Sequence, residues 1–177
     1  MQYYVFIKYL LKNFSFFFLY SLNFFSNSVI LFIPSFLIVY ITLFLKYSFF
    51  FKNFFLLDLG CYETPVFFKE SLAQFKYFLW YIFKNNFDEN LFIFTLINKF
   101  VIGSVEKLFR NAKWLERETF DFFNVFFKNK KDRRSLFTIP IFYESPLKKK
   151  FPTVGFYELF ICFFLKKIKF KHISFKN

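Results

Sequence analysis

Val105, Leu108, Ala112, Leu115, Thr119 and Phe122 recur at intervals of 3, 4, 3, 4 and 3. Only a helix gathers that spacing onto one face, so one or two helices are predicted over 104–123. Ser104 precedes the stripe as an N-cap, and Glu106 lies in the first turn, where the helix dipole favours an acid. Arg117 and Asp121, and Glu106 and Arg110, stand four apart and are expected to pair. A stripe this narrow must be buried against something, and the segments upstream supply it. Residues 49–60 read as a strand ending at Asp58 and Gly60, and Glu63-Thr64-Pro65 as a turn. The runs Ser71–Phe83 and Leu91–Ile97 are aromatic and β-branched. The polar spacer Lys84–Asn90 between them suits a hairpin connection, with both runs as strands buried on two faces. The fold class expected is α+β: a small sheet packed by one or two helices.

Upstream of the sheet the chain is harder to read. No charged residue occurs between Lys12 and Lys46, and Val29–Leu45 has the length and apolarity of a membrane span. Two observations weaken that reading. Pro34 would interrupt the helical ladder, and phenylalanine alone supplies 39 of the 177 residues. No packing rule asks for so much of one large side chain. An AT-rich coding genome, such as an organelle's, accounts for it, with Phe standing where other chains use Leu, Val or Met. The mean hydropathy of +0.36 is discounted accordingly, and a docked amphipathic region is the preferred reading of 1–48. No small-residue cleavage site follows the apolar run and no arginine precedes Arg110, so neither a secretory leader nor an Arg-rich import signal is expected.

Beyond Phe127 the texture changes again. Pro140, Pro146 and Pro152 recur every six residues, which forbids helix and central strand. An extended, irregular C-terminal arm is therefore predicted over 128–177, following the α+β domain at 49–127. The arm holds 13 Lys and Arg against three acids, leaving +10 of the chain's net +13. That asymmetry calls for an acidic partner. Cys61 and Cys162 lie 101 positions apart and His172 is the only histidine. No metal-ligand spacing results, and no metal or other cofactor is expected. Gly60, Gly103 and Gly155 are isolated and make no phosphate loop. The carboxylates Glu116, Glu118 and Asp121 have no nucleophile or histidine beside them, so they specify no reaction.

Trp114-Leu115-Glu116-Arg117-Glu118, with Asp121, Phe122 and Phe123 after it, resembles without a gap the signature of the 30-kDa subunit family of respiratory complex I. Asn129, Asp132 and Arg134 keep the family's register further on. A second block, Pro146-Leu147-Lys148-Lys149-Lys150-Phe151-Pro152 with Gly155 and Glu158, matches again at compatible spacing. The firm resemblance spans about 112–158. Departures are Asn124 for a glycine, Lys130 and Lys131 for a His-Pro pair, Ser135 at an arginine position, and Ile141–Glu144 in place of a Gly-Phe-Glu-Gly. If position 124 is left-handed, Asn is the best substitute for Gly.

The resemblance implies a subunit without a catalytic site or redox centre of its own. It would belong to the matrix-side peripheral arm of the proton-pumping NADH:ubiquinone oxidoreductase of the mitochondrial inner membrane, supporting the quinone-reducing module and packing chiefly against the 49-kDa subunit, with no nucleic acid involved. It marks Trp114, Glu116, Arg117, Glu118, Asp121, Arg134, Pro146, Lys148, Lys149, Lys150, Pro152 and Gly155 as signature and subunit-contact positions. Trp114 is expected to anchor the helix in the core. The alternative is a mitochondrial ribosomal protein whose basic tail, with Phe163, Phe164, Phe170 and Phe175 interleaved, follows rRNA.

Overall fold

In a computed structural model the described residues are 19–21, 28–47, 54–64, 77–84, 90–97, 101–138 and 145–173. The expectations for 1–18, the first half of the 71–83 run, the 85–89 spacer and 139–144 lie outside them. The principal sheet has five strands: β1 (Leu19–Ser21), β2 (Ser28–Phe32), β3 (Phe55–Glu63), β4 (Tyr77–Lys84) and β5 (Asn90–Ile97), in the order β1-β2-β5-β4-β3. β4 pairs antiparallel with both β3 and β5, while β2 runs parallel to β5.

Strict alternation along β4 and β5 sets which side is core. Tyr77, Leu79, Tyr81 and Phe83 are buried and face Ile97, Thr95, Ile93 and Leu91 across the ladder. The opposite side is only half-buried and is tiled by rings. Tyr62 stacks on Phe78 at 4.9 Å, Phe78 meets Phe94 at 5.1 Å, and Phe94 meets Phe32 at 5.3 Å. Burial on two faces, expected for these strands, is thus full on one face only. Gly60 lies opposite Trp80, and a Cβ at Gly60 would run into the indole ring. Gly60→Ala is expected to destabilise the chain by about 1–3 kcal/mol, the range for overpacking a fitted site. Chemical denaturation would register it as a lower midpoint at unchanged slope.

The uncharged stretch resolves into pieces of this same body. Pro34 follows β2 and leads through a short 3-10 turn, Ser35–Leu37, into α1 (Ile38–Tyr47). Proline is tolerated there because the first helical N–H groups have no partner anyway. Ile38, Ile41 and Leu45 are buried in the core, and the Lys46 ammonium donates to the Leu108 carbonyl. Residues 28–47 therefore share one sheet and one core with the domain predicted to begin after them. Ten residues of α1 span about 15 Å. Among the described residues no helix is long and apolar enough to cross a membrane.

α2 (Ala112–Phe123) packs over β3 and is shorter than the predicted 104–123. Val105–Leu108 forms a turn closed by Leu108 N–H to Val105 O at 2.9 Å, and the helix starts afterwards. Two short parallel strands, β6 (Val101–Gly103) and β7 (Phe126–Lys128), flank α2 as a β-α-β unit. Asn124 ends α2 in the left-handed region (φ 57°), its N–H donating to Phe120 O at 2.7 Å. Asn is one of the few side chains that accept this conformation at little cost. After β7 the described residues 129–138 and 145–156 are irregular, and a hairpin follows, β8 (Tyr157–Cys162) and β9 (Lys167–His172). That hairpin amends the prediction of an arm irregular throughout. Its residues are free of proline, so nothing local opposes a ladder.

Candidate functional site

β6 and β7 bring the ends of α2, Ser104 and the start of the arm together, and the signature residues converge there. Glu116 is fully buried. Its Oε1 accepts the Val105 N–H at 2.8 Å, and Oε2 accepts the Ser104 hydroxyl at 2.7 Å and the Lys130 ammonium at 3.0 Å. Lys130 is itself buried and also donates to the Lys113 carbonyl at 3.1 Å, with Glu106 at 3.5 Å. Burial pushes the Glu116 carboxyl above the ordinary range, while Lys130 and the two donors pull it down. Every oxygen of Glu116 is thus spent on holding Ser104–Val105 and the arm, and none faces a cleft.

Beside it and further along α2, Arg117 and Asp121 grip the arm. The Arg117 Nε–H donates to Arg134 O at 2.8 Å, and its second terminal nitrogen to Ser135 O at 3.3 Å. Its remaining nitrogen lies 3.7 Å from Asp132. Asp121 Oδ2 accepts the N–H groups of Leu136, Phe137 and Thr138 at 2.6, 2.8 and 3.4 Å. The predicted Arg117–Asp121 pair is therefore replaced by two separate clasps on one segment, and Glu106 turns to Lys130 rather than Arg110. Backbone groups of an irregular segment need partners when it is covered, and these two side chains provide them.

The expectation that the helix charges meet another subunit is corrected for three of them. Glu116, Arg117 and Asp121 are buried inside this chain and bind its own arm. Trp114 departs from its expected role as well: it is 53% exposed, with the Arg117 guanidinium 4.9 Å above its ring. It caps the Arg117 clasp from outside and anchors nothing in the core. Glu118 is half-buried. Exposed Arg134 is held by Asp132, bidentately, at 3.0 and 2.9 Å, and this hydrogen bonding holds the Asp132 carboxyl far below the ordinary range.

The second signature block is partly tied down too. Leu147 N–H donates to Phe122 O at 3.2 Å. Lys149 reaches β3, its N–H to Glu63 Oε2 at 2.7 Å and its ammonium to the Thr64 carbonyl at 2.8 Å. Pro146, Lys148 and Pro152 are half-buried and Lys150 is exposed. Gly155 sits at φ 78°, in a turn closed by its N–H to Pro152 O at 2.9 Å. Only glycine adopts that conformation without strain.

Lys130 is the residue that sequence reasoning passed over, counted only as a departure from a His-Pro pair. A run of Lys and Arg gives no sign of which member turns inward, and the signal lay in its partner, an acid on the buried side of α2. A water-sized cavity beside it is lined by Arg117, Phe120, Phe126, Phe127, Lys130 and Arg133. Among the described residues no three His, Cys, Asp or Glu side chains gather as a metal site. Burial, with Glu63 adding to it, pushes the Cys61 thiol up to about 12, so it stays protonated and unreactive at neutral pH.

The family described as respiratory-chain NADH dehydrogenase, 30 Kd subunit, matches residues 37–157, a span that contains both clasps and the second signature block up to Gly155. NADH-ubiquinone oxidoreductase subunit 9 of Dictyostelium citrinum is 34% identical over 134 residues, covering 74% of this chain and 63% of that protein. A probable NADH-ubiquinone oxidoreductase 30.4 kDa subunit, mitochondrial, of Candida maltosa is 47% identical over 58 residues, 33% of this chain and 21% of that protein. The chain thus spans less than two thirds of the length of these relatives. The fold is similar to a chain in the structure of the membrane-bound sulfane sulfur reductase, an archaeal respiratory membrane complex (TM-score 0.68, 18% identity, 87% of this chain and 88% of that one). It is also similar to a trypsin-resistant fragment of Nqo5 (TM-score 0.57, 14% identity, 75% of this chain and 99% of that one).

Proposed function

The chain belongs to the respiratory-chain NADH dehydrogenase 30-kDa subunit family, and we propose on that footing that it is a non-catalytic subunit of the proton-pumping NADH:ubiquinone oxidoreductase. In this reading it works in the mitochondrion, in the matrix-side peripheral arm of the inner-membrane complex, and carries no redox centre. Its task is to brace the quinone-reducing module, with the 49-kDa-type subunit as its main partner.

The supporting observation is the use made of the signature residues. Arg117 and Asp121 hold the backbone of residues 134–138, and Glu116 ties Lys130 to Ser104 and Val105. A family motif devoted to holding the chain's own arm serves shape. Shape matters most where a long, basic segment must meet other proteins in one conformation, because ordering it beforehand lowers the cost of binding. Exposed Arg134 and Lys150 would then meet acidic groups on neighbours, alongside Lys148 and Lys149.

Native-gel separation of mitochondrial membranes, with subunits identified in the band that has NADH dehydrogenase activity, tests the reading. Recovery of the chain in that band is expected. Recovery with ribosomal subunits instead would refute it.

A further inference from the structure

α1 buries one face and leaves the other bare. Ile38, Ile41 and Leu45 enter the core. Phe36 in the preceding turn and Tyr40, Leu43 and Tyr47 on the helix are 63%, 70%, 45% and 74% exposed. Their spacing is 4, 3 and 4, so they stand in one row along the outer side of the helix. With about 150–250 Å² for a whole aromatic side chain, the row leaves on the order of 400 Å² of largely apolar surface in water. Monomeric proteins keep patches of that size mostly where something binds.

The page of contacts around α1 separates the occupants. A second copy of the chain fails on area and charge. A self-standing dimer needs about 800 Å² from each partner, well above what the row offers, and two chains of net charge +13 repel. A bilayer surface fails on charge as well. Helices that lie on lipid carry Lys and Arg on their polar face. The one charged residue in 28–47 is Lys46, and its ammonium is already bonded to the Leu108 carbonyl. An added β-strand needs free backbone groups to pair with, and those in the middle of a helix are used within it. A proline-rich peptide needs an aromatic groove, whereas one helix presents a ridge. The occupant left is another helix. Spacing of 4, 3 and 4 is the a/d alternation of a helix-pairing seam, in which each side chain enters a hole between four residues of the facing helix.

We propose that Phe36, Tyr40, Leu43 and Tyr47 form a seam that pairs with one amphipathic helix of a different protein. That helix carries aliphatic residues at heptad spacing against the seam, with acidic residues beside them to suit the chain's +13. Tyrosine suits a seat of this kind, because its ring packs while its hydroxyl stays wet. The seam lies apart from the signature residues and the arm. It rests on the subunit reading only in that the NADH dehydrogenase complex is where the helix is sought.

The test uses the complex isolated with the full chain in it and a photoreactive phenylalanine analogue in place of Tyr40. Crosslinks should fall on one segment of one other protein, with apolar residues three and four apart. Tyr40→Glu/Leu43→Glu alters only exposed side chains and should lower recovery of that protein with the chain at least about tenfold, as for loss of an apolar hot spot. Tyr40→Phe/Tyr47→Phe keeps the ridge and should retain it. Crosslinks confined to lipid, to a second copy or to this chain itself overturn the inference, as does their absence. Equal recovery with the glutamate variant, or equal loss with the phenylalanine variant, overturns it too. A parent chain absent from the complex defeats the subunit reading; a chain that is present but gives no such crosslink defeats the seam alone.

Discussion

Replacing Glu116 with alanine is expected to cost about 3–5 kcal/mol of stability, the usual loss when one member of a buried ion pair is removed. The cost arises from what stays behind. Lys130 is buried and would retain only the Lys113 carbonyl at 3.1 Å and Glu106 at 3.5 Å. The Val105 N–H and the Ser104 hydroxyl would also lose their acceptor. For a chain of this size such a loss lowers the melting temperature by roughly 6–20 °C. The double variant Glu116→Leu/Lys130→Met removes both charges and should recover most of the difference, because apolar pairs of similar volume replace buried ion pairs with little penalty. Thermal unfolding of the parent chain, Glu116→Leu, Lys130→Met and the double variant gives the coupling directly. Losses that simply add would mean that Glu116 and Lys130 do not act on each other.

The strands at 77–84 and 90–97 were legible because alternation and β-branched or aromatic content agree there. The spacing of Ala112 and Thr119 likewise marked α2, while Val105, on the same predicted stripe, lies in the turn before it. All three residues are buried. Two parts of the fold were less accessible. Residues 28–47 read as one apolar stretch because phenylalanine is so common that hydropathy cannot separate a strand, a turn and a short helix. Their division depends on β2 pairing parallel with β5, a contact between residues about sixty apart in sequence. The β8–β9 hairpin was hidden by the prolines before it. Its alternation of apolar and lysine residues is plain in β9 but is masked in β8, where Phe160 and Cys162 share the lysine face.

Residue types at the site were readable, but their direction was not. An apolar stripe at helical spacing turns its own positions inward and leaves the charges to solvent or to a partner. Yet α2 also buries Glu116, Arg117 and Asp121. Nothing in helical periodicity announces that, because it follows from the arm lying across α2 with backbone groups to satisfy. Burying a charge is tolerable only when it is paired and hydrogen-bonded. Glu116 and Arg117 meet that condition with Lys130 and Asp132 and with hydrogen-bond partners at 104–105 and 134–135, while Asp121 relies on the N–H groups of 136–138 at one of its oxygens. A family signature of charged residues on a helix therefore does not by itself distinguish an interface between chains from one within a chain.

Asp121→Ala is expected to free the arm at its root with a loss of about 2–4 kcal/mol, since hydrogen bonds to a charged acceptor contribute about 1.5–3 kcal/mol each when intact and are not additive on one oxygen. Asp121 Oδ2 holds the Leu136 and Phe137 N–H groups at 2.6 and 2.8 Å, and nothing else described accepts from them. Asn at this position keeps a neutral acceptor and should lose about half as much, because neutral hydrogen bonds are roughly half as strong as charge-assisted ones. The effect is local in character. Hydrogen exchange should speed up at Leu136 and Phe137 while Leu79, Tyr81 and Ile93 in the sheet stay protected, as expected when one segment opens without global unfolding. Arg117→Met should release the same segment from the other side by freeing the Arg134 and Ser135 carbonyls. Unchanged protection at Leu136 and Phe137 in the Asp121→Ala chain would mean that the Arg117 clasp and apolar contacts hold the arm without Asp121. Faster exchange there, together with loss of assembly, would connect the signature acid to the shape that the complex requires.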